Sequence, residues 1–216
     1  FYLDRSKGLK EPGMPGWSLN SAVDELLKKE FDILRKQKKP HPIFKKNKLN
    51  FIPFQHEKMD QWRNSLKGGI SYFDKNTNVE LYGGLDDIWF NKDKEELVVV
   101  DYKAQSSNEK VETESYLSNI YHQGYKIQMD IYVYILRKMD FKVSDVSYFY
   151  VCNGEKSYDK FEGKLNFTTT LVPYKTDTSW VDKKIIEMKK VLESSKIPDV
   201  NKSCEHCAYL EGGKKF

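Results

Sequence analysis

The stretch Tyr82-Gly-Gly-Leu-Asp86-Asp-Ile-Trp-Phe-Asn91, then Lys92–Glu95, then Glu96-Leu-Val-Val-Val-Asp101-Tyr-Lys103 decides how the chain is read. Runs rich in β-branched and aromatic residues, bounded by turn residues, read as strands. Val79–Asn91 is expected as one strand, Lys92–Glu95 as a four-residue turn and Glu96–Ala104 as the returning strand. With that turn, Asn91 faces Glu96 and Asp86 falls opposite Asp101. Directly opposed side chains lie roughly 5 Å apart, and like charges there are destabilising. A cation between the two carboxylates removes the conflict, and an all-oxygen site selects hard ions such as Mg²⁺ or Mn²⁺. A slip of one residue would put Asp87 in the place of Asp86.

Side chains alternate along a strand, so Asp101 and Lys103 share a face while Val98 and Val100 point into apolar packing on the other. The lysine then lies beside the metal, near an attacking water or the phosphate that it polarises. The backbone carbonyl of Tyr102 offers a further oxygen ligand. A metal that activates water, next to a fixed ammonium, suits hydrolysis of a phosphodiester. An Asp-x-Lys triplet by itself reads better as a solvated surface hairpin; the register shifts the balance toward a metal site.

Outward from the hairpin, the pattern is helix, strands, helix, strand, strand, helix. Leu19, Ala22, Val23, Leu26, Leu27, Phe31 and Leu34 recur at helical spacing, so a helix is expected from Ser18 or Asn20 to about Lys36. Lys36–Lys48 reads as a basic loop, 54–66 as a helix and 70–73 as a weak strand. A long helix is expected over about Ser115–Met139, strands over Val146–Cys152 and Leu165–Tyr174, and an amphipathic helix over Ser179–Ser195. No internal repeat or domain boundary is visible. The expectation is one α/β domain over 1–216 with a mixed central β-sheet flanked by helices, and a cysteine-bearing tail at about 196–216.

Within the long helix, Gln128 and Tyr132 are four apart and stack on one face, and Ile127, Ile131 and Ile135 form an apolar one. Gly83-Gly-Leu-Asp86, Asp101-Tyr-Lys103 and Gln128-Met-Asp-Ile-Tyr132, in that order, resemble the G-x-x-D, D-x-K and Q-x-x-x-Y elements of PD-(D/E)XK nucleases, in their RecB-like and Cas4-like branch. The match spans about residues 80–140 and extends loosely over most of the chain. The resemblance implies a restriction-endonuclease-like core, with Asp86, Asp101 and Lys103 catalytic and Gln128 and Tyr132 positioning the DNA strand or supporting the metal site. The family also carries a His or Glu on its first helix. Ser18–Lys36 has no histidine, and Glu30, in the middle of the apolar face, takes that place as a metal ligand; Asp24, at the edge of the face, is the alternative. Relatives with an iron–sulfur cluster use one cysteine near the N-terminus and three near the C-terminus. Cys204 and Cys207 match two of these, so a Cys₄ cluster needs cysteines from beyond this segment, upstream of Phe1. Cys152 reads as a small core residue.

The bulk composition agrees with a folded, nucleic-acid-handling protein without demanding one. Hydrophobic residues are 39%, aromatics 14%, and the net charge is +4. Arg5, Arg35, Arg63 and Arg137 are the only arginines, so contacts to DNA would be made by lysine and would be largely independent of sequence. No apolar run spans a membrane, no signal peptide is visible, and three cysteines suggest no disulfide scaffold; the cytoplasm is the expected location. Three functions compete. The first is a Mg²⁺- or Mn²⁺-dependent nuclease acting on single strands or ends of DNA, such as an exonuclease. The second is a catalytically inactive nucleic-acid-binding module of the same fold. The third is an unrelated α/β protein.

Overall fold

The structure, a computed structural model, describes residues 6–13, 18–196, 199 and 203–215. The chain divides into two compact units, Ser18–Ile186 and the terminal segments Phe1–Trp17 with Glu187–Phe216. In chain order the elements are α1 (Ser18–Gln37), α2 (Pro42–Lys46), β1 (Phe51–Pro53), α3 (Met59–Trp62), β2 (Ile70–Asp74), β3 (Val79–Gly83), β4 (Asp87–Asn91), β5 (Glu96–Gln105), α4 (Thr113–Ser118), α5 (Gln123–Lys138), β6 (Val146–Gly154), β7 (Phe167–Lys175), α6 (Val181–Glu193) and α7 (Glu205–Gly213). Short 3₁₀ turns occupy Ser65–Lys67 and Ile120–His122.

The larger unit is built on a five-stranded sheet in the order β1-β4-β5-β6-β7. Only β5 and β6 run parallel; their neighbours are antiparallel. Alternation along β5 divides the core between two layers. Val98, Val100 and Tyr102 pack with Leu27 and Phe31 of α1, Phe44 of α2 and Trp89 of β4. On the opposite face Leu97 and Val99 pack with Met129, Tyr132, Val133 and Leu136 of α5 and with Val181 and Ile185 of α6. A strand covered on both faces needs apolar residues in both registers, which is why Leu97–Val100 is uninterrupted. This mixed sheet between helical layers is the arrangement of a restriction-endonuclease-like core, as expected. In the second unit, α7 packs Gly212 against Leu9: a Cβ at 212 would come within 3.3 Å of the Leu9 methyls.

The sheet edges and long helix differ from expectation. Residues 54–66 are not one helix: Phe51–Pro53 joins the sheet beside β4, and only one turn, Met59–Trp62, is α-helical. Here edge pairing overrides local helical spacing. Val79–Asn91 is not one strand either. It breaks after Gly83, so that β3 pairs with β2 in a separate two-stranded sheet while β4 enters the main one. The long helix is interrupted at Asn119, which is extended and whose side chain accepts from Tyr121 N at 2.9 Å. Asparagine competes with the helix for backbone donors in this way. On α5 Ile135 is buried as expected, together with Met129, Tyr132, Val133 and Leu136, and Ile131 packs partly against them, whereas Ile127 is exposed.

Candidate active site

The hairpin closes in the expected register: Asn91 pairs with Glu96, and the ladder continues to Asp87 opposite Val100. One step further, Asp86 meets Asp101. Asp101 is 4% exposed. The Asp86 side chain is 22% exposed. Its Oδ2 accepts from Tyr102 N at 2.7 Å, which ties the carboxylate to the strand carrying its counterpart. Burial and the Asp101 charge push the Asp86 carboxyl up to about 7, against the opposing pull of Lys28. Burial likewise raises Asp101, although Lys103 draws it down. Two close carboxyls that have lost water hold on to a proton.

Lys103 extends along the same face. Its Nζ sits 2.5 Å from Asp101 Oδ2 as an ion pair, and 4.4 Å from the centroid of the Tyr125 ring. Within the protein the Asp101 carboxylate is thus met by the Lys103 ammonium and by the Asp86 carboxyl.

Gln128 and Tyr132 form a relay. Gln128 Nε2 donates to the Tyr132 hydroxyl at 2.7 Å, and that hydroxyl donates to Gly84 O at 2.7 Å. The Tyr132 ring rests on Gly83, where a Cβ would lie 2.6 Å from Cε1. A Cβ on Gly84 would meet Ser65 N at 2.9 Å. The two glycines thus let the turn before Asp86 be clamped between α5 and the Arg63–Ser65 backbone. Burial, with Asp101 and Asp86 adding to it, raises the Tyr132 phenol to about 12, so it stays a donor.

The first helix turns a different flank to the site than the one expected. Its buried stripe is Leu27, Phe31 and Arg35, with Val23 packed against it. At 3.6 residues per turn, Glu30 falls on one flank of that stripe and Asp24 and Lys28 on the other. Glu30 is not at the apolar centre: its side chain is 57% exposed and its Oε1 pairs with His41 Nε2 at 2.8 Å. Asp24 is on the flank nearer the pair, and its charge adds a minor share to the rise of Asp86 and Asp101. Lys28 bridges them, 2.7 Å from Asp24 and 3.5 Å from Asp86.

The residue next to Asp86 does something else. Asp87 is fully buried on the α1 face, where Arg35 Nη2 and Arg63 Nη2 both pair with its Oδ1, the latter at 3.0 Å. The Tyr102 hydroxyl donates to its Oδ2 at 2.8 Å. Burial works to lower the Arg63 pKa, but Asp87 and Asp32 outweigh it and the guanidinium is raised. Arg63 Nε also donates to Asp86 O at 3.0 Å. Sequence reading missed this network; its one visible trace was the scarcity of arginine, two of which converge on a single carboxylate.

The family model for the PD-(D/E)XK nuclease superfamily matches residues 9–211. The chain belongs to the PD-(D/E)XK nuclease superfamily. No curated protein and no solved structure matches it. Members of the superfamily are generally nucleases that use divalent metals such as Mg²⁺. Among the described residues no group of three or more His, Cys, Asp or Glu side chains is gathered to hold a metal. Mg²⁺ needs less than that, since it is commonly held by one or two carboxylates together with water and substrate phosphates. Asp86 and Asp101 fit this requirement: two carboxylates meet at one end of the hairpin, with Asp86 raised by burial and by the Asp101 charge, and a cation would relieve that repulsion.

The tail offers no comparable fit. Cys204 begins α7, and its Sγ accepts from Cys207 N at 3.4 Å, which lowers the thiol pKa. Cys152 lies buried in β6, its thiol pushed up to about 11 by burial. Three cysteines in the whole sequence fall short of the four thiolates that a cluster usually takes. No helix among the described residues is long and apolar enough to cross a membrane.

Proposed function

We propose that the chain is a Mg²⁺- or Mn²⁺-dependent nuclease of the RecB-like and Cas4-like kind, cleaving phosphodiester bonds of DNA single strands or ends in the cytoplasm. The observation that carries this reading is the meeting of Asp86 and Asp101, with Tyr102 N–H on Asp86 Oδ2 and Lys103 2.5 Å from Asp101 Oδ2 on the same strand face. A bound divalent cation supplies a Lewis acid and lowers the pKa of a coordinated water.

The protein groups divide the remaining work. Asp86 and Asp101 give carboxylate oxygens, the Tyr102 carbonyl adds a neutral one, and Tyr102 N–H fixes the rotamer of Asp86. We assign Asp24, rather than Glu30, as the acid from the first helix. Lys103, braced on the Tyr125 ring, holds its charge beside Asp101, where it stabilises negative charge developing on the phosphate. Tyr132 is a positioning residue that acts on Asp86 through Gly84, and Gln128 orients Tyr132. An inactive binding module gains nothing from a buried carboxylate pair that destabilises the free protein.

The test is digestion of end-labelled single-stranded and duplex DNA by the purified chain in Mn²⁺, with and without chelator. Cleavage abolished by chelator is expected. DNA binding without metal-dependent cleavage of either substrate would replace the enzyme by the binding module.

A further inference from the structure

A third element, α4, packs on the face of the sheet that carries Asp101, and it holds a polar atom with nothing to bind among the described residues. Tyr116 of α4 is 5% exposed, and its buried hydroxyl has no hydrogen-bond partner among the described residues. Its ring packs 5.8 Å from that of Phe149. Phe149 is the residue of β6 paired directly with Asp101 across the parallel ladder, which puts Tyr116 at the level of Asp101 on the same face of the sheet. His122 holds the tyrosine there: its ring lies 4.1 Å from that of Tyr116, and its Nδ1 is 2.9 Å from Tyr116 O. His122 also stacks at 5.3 Å on Tyr125, the ring beneath Lys103. Tyr116, His122 and Tyr125 therefore make a continuous wall along the Asp101–Lys103 face.

Buried polar groups are nearly always hydrogen-bonded, and an exception calls for an explanation. The exception here is a phenol that can donate, on the face of the sheet that carries Asp101 and near enough for the Asp101 charge to act on it. Trp89 Nε1 and Ser147 Oγ are also unpartnered. Trp89, however, belongs to the aromatic core under α1, on the other face of the sheet.

We propose that Tyr116 is a further catalytic residue of this site, whose hydroxyl donates a hydrogen bond to the oxygen held at Asp101, either the attacking water or a non-bridging phosphate oxygen. The assignment rests on the nuclease reading and adds to it a donor that none of the three sequence motifs contains. Burial, with the charge of Asp101 adding to it, raises the phenol well above its ordinary pKa, so it remains protonated and able to donate throughout the working pH range.

Tyr116→Phe tests the hydroxyl alone, since the ring and its packing stay. Three quantities are read on the full chain: melting in chelator, Mn²⁺ affinity by calorimetry, and kcat and KM on a labelled oligonucleotide at saturating Mn²⁺. The expected result is melting equal to or above wild type, because a buried orphan hydroxyl is removed, with kcat about tenfold or more lower and KM within about twofold. An unchanged kcat while Asp101→Asn is inactive would overturn the role of Tyr116 and leave the nuclease reading standing. A clear fall in melting temperature with kcat unchanged would make the hydroxyl structural, which also overturns it. Wild type that neither binds Mn²⁺ nor cleaves would end the nuclease reading, and this proposal with it.

Discussion

Asp86 and Asp87 are adjacent in the chain and opposite in circumstance. Asp87 turns toward α1 and is met by two guanidinium groups and a phenol. Asp86 meets another carboxylate, Asp101, with Lys28 and Lys103 set against the pair. The first is a buried charge with its partners built in; it fastens α1 and the Arg63 segment to the sheet. The second is a buried charge that the protein leaves short of partners. A charge satisfied from within serves the fold, and one left unsatisfied is available to something from outside, here a cation and the phosphate it carries. Five measurements can break or sharpen that contrast.

The largest effect belongs to the unsatisfied side. Asp101→Ala and Lys103→Ala should each lower metal-dependent cleavage by about 10²–10³-fold or more while the protein stays folded. Wild-type rates in either folded variant would remove the site assignment. On the satisfied side, Asp87→Asn should leave cleavage chemistry in place but cost about 3–5 kcal/mol of stability, as breaking a buried ion network does. In a domain of this size that is a drop in Tm on the order of 10 °C. An unshifted melting curve would show that Arg35 and Arg63 do not depend on Asp87.

Asp86→Asn should act in the opposite direction. The folded-state pKa near 7 lies above the unfolded value near 3.8, so the protonated form is the favoured one in the native site. The stability associated with it is fully present below pH about 4 and is lost as pH rises through about 7. In chelator the variant should therefore match wild type near pH 4 and exceed it at pH 8 by up to roughly 4 kcal/mol. Excess Mn²⁺ should reverse the order by stabilising only the wild type. Parallel pH profiles of melting for the two proteins would contradict a strained carboxylate pair.

A smaller effect separates the two flanks of α1. Asp24→Asn should weaken Mn²⁺ binding by roughly tenfold, whereas Glu30→Gln, on the His41 side, should leave it unchanged. Calorimetric titration decides, and the reverse ranking would return Glu30 to the metal. The smallest effect is expected at Gln128. In Gln128→Ala the Tyr132 hydroxyl keeps its bond to Gly84 O, so cleavage should fall only several-fold. Loss equal to that of Asp101→Ala would mean that the glutamine touches substrate or metal itself.

Much of this contrast was legible in the chain because it depends on spacing within one hairpin. A four-residue turn and strict alternation were enough to oppose Asp86 to Asp101, to put Lys103 beside Asp101 and to turn Val98 and Val100 away. Gln128 and Tyr132 were paired by the helical repeat in the same way. Tertiary structure decided everything that depends on partners distant in sequence. It broke the expected strand at Gly83, because Tyr132, forty-eight residues beyond Gly84, needs that surface bare. It gave Asp87 to Arg35, fifty-two residues away, and turned Glu30 toward His41 and Asp24 toward the carboxylates. It also set Tyr116 against Phe149, the residue of a different strand that pairs with Asp101. Local repeats fix which side chains share a face. Which of two neighbouring charges is neutralised, and which is left for a ligand, is set by the groups that other elements bring to that face, and no periodicity within the segment records them.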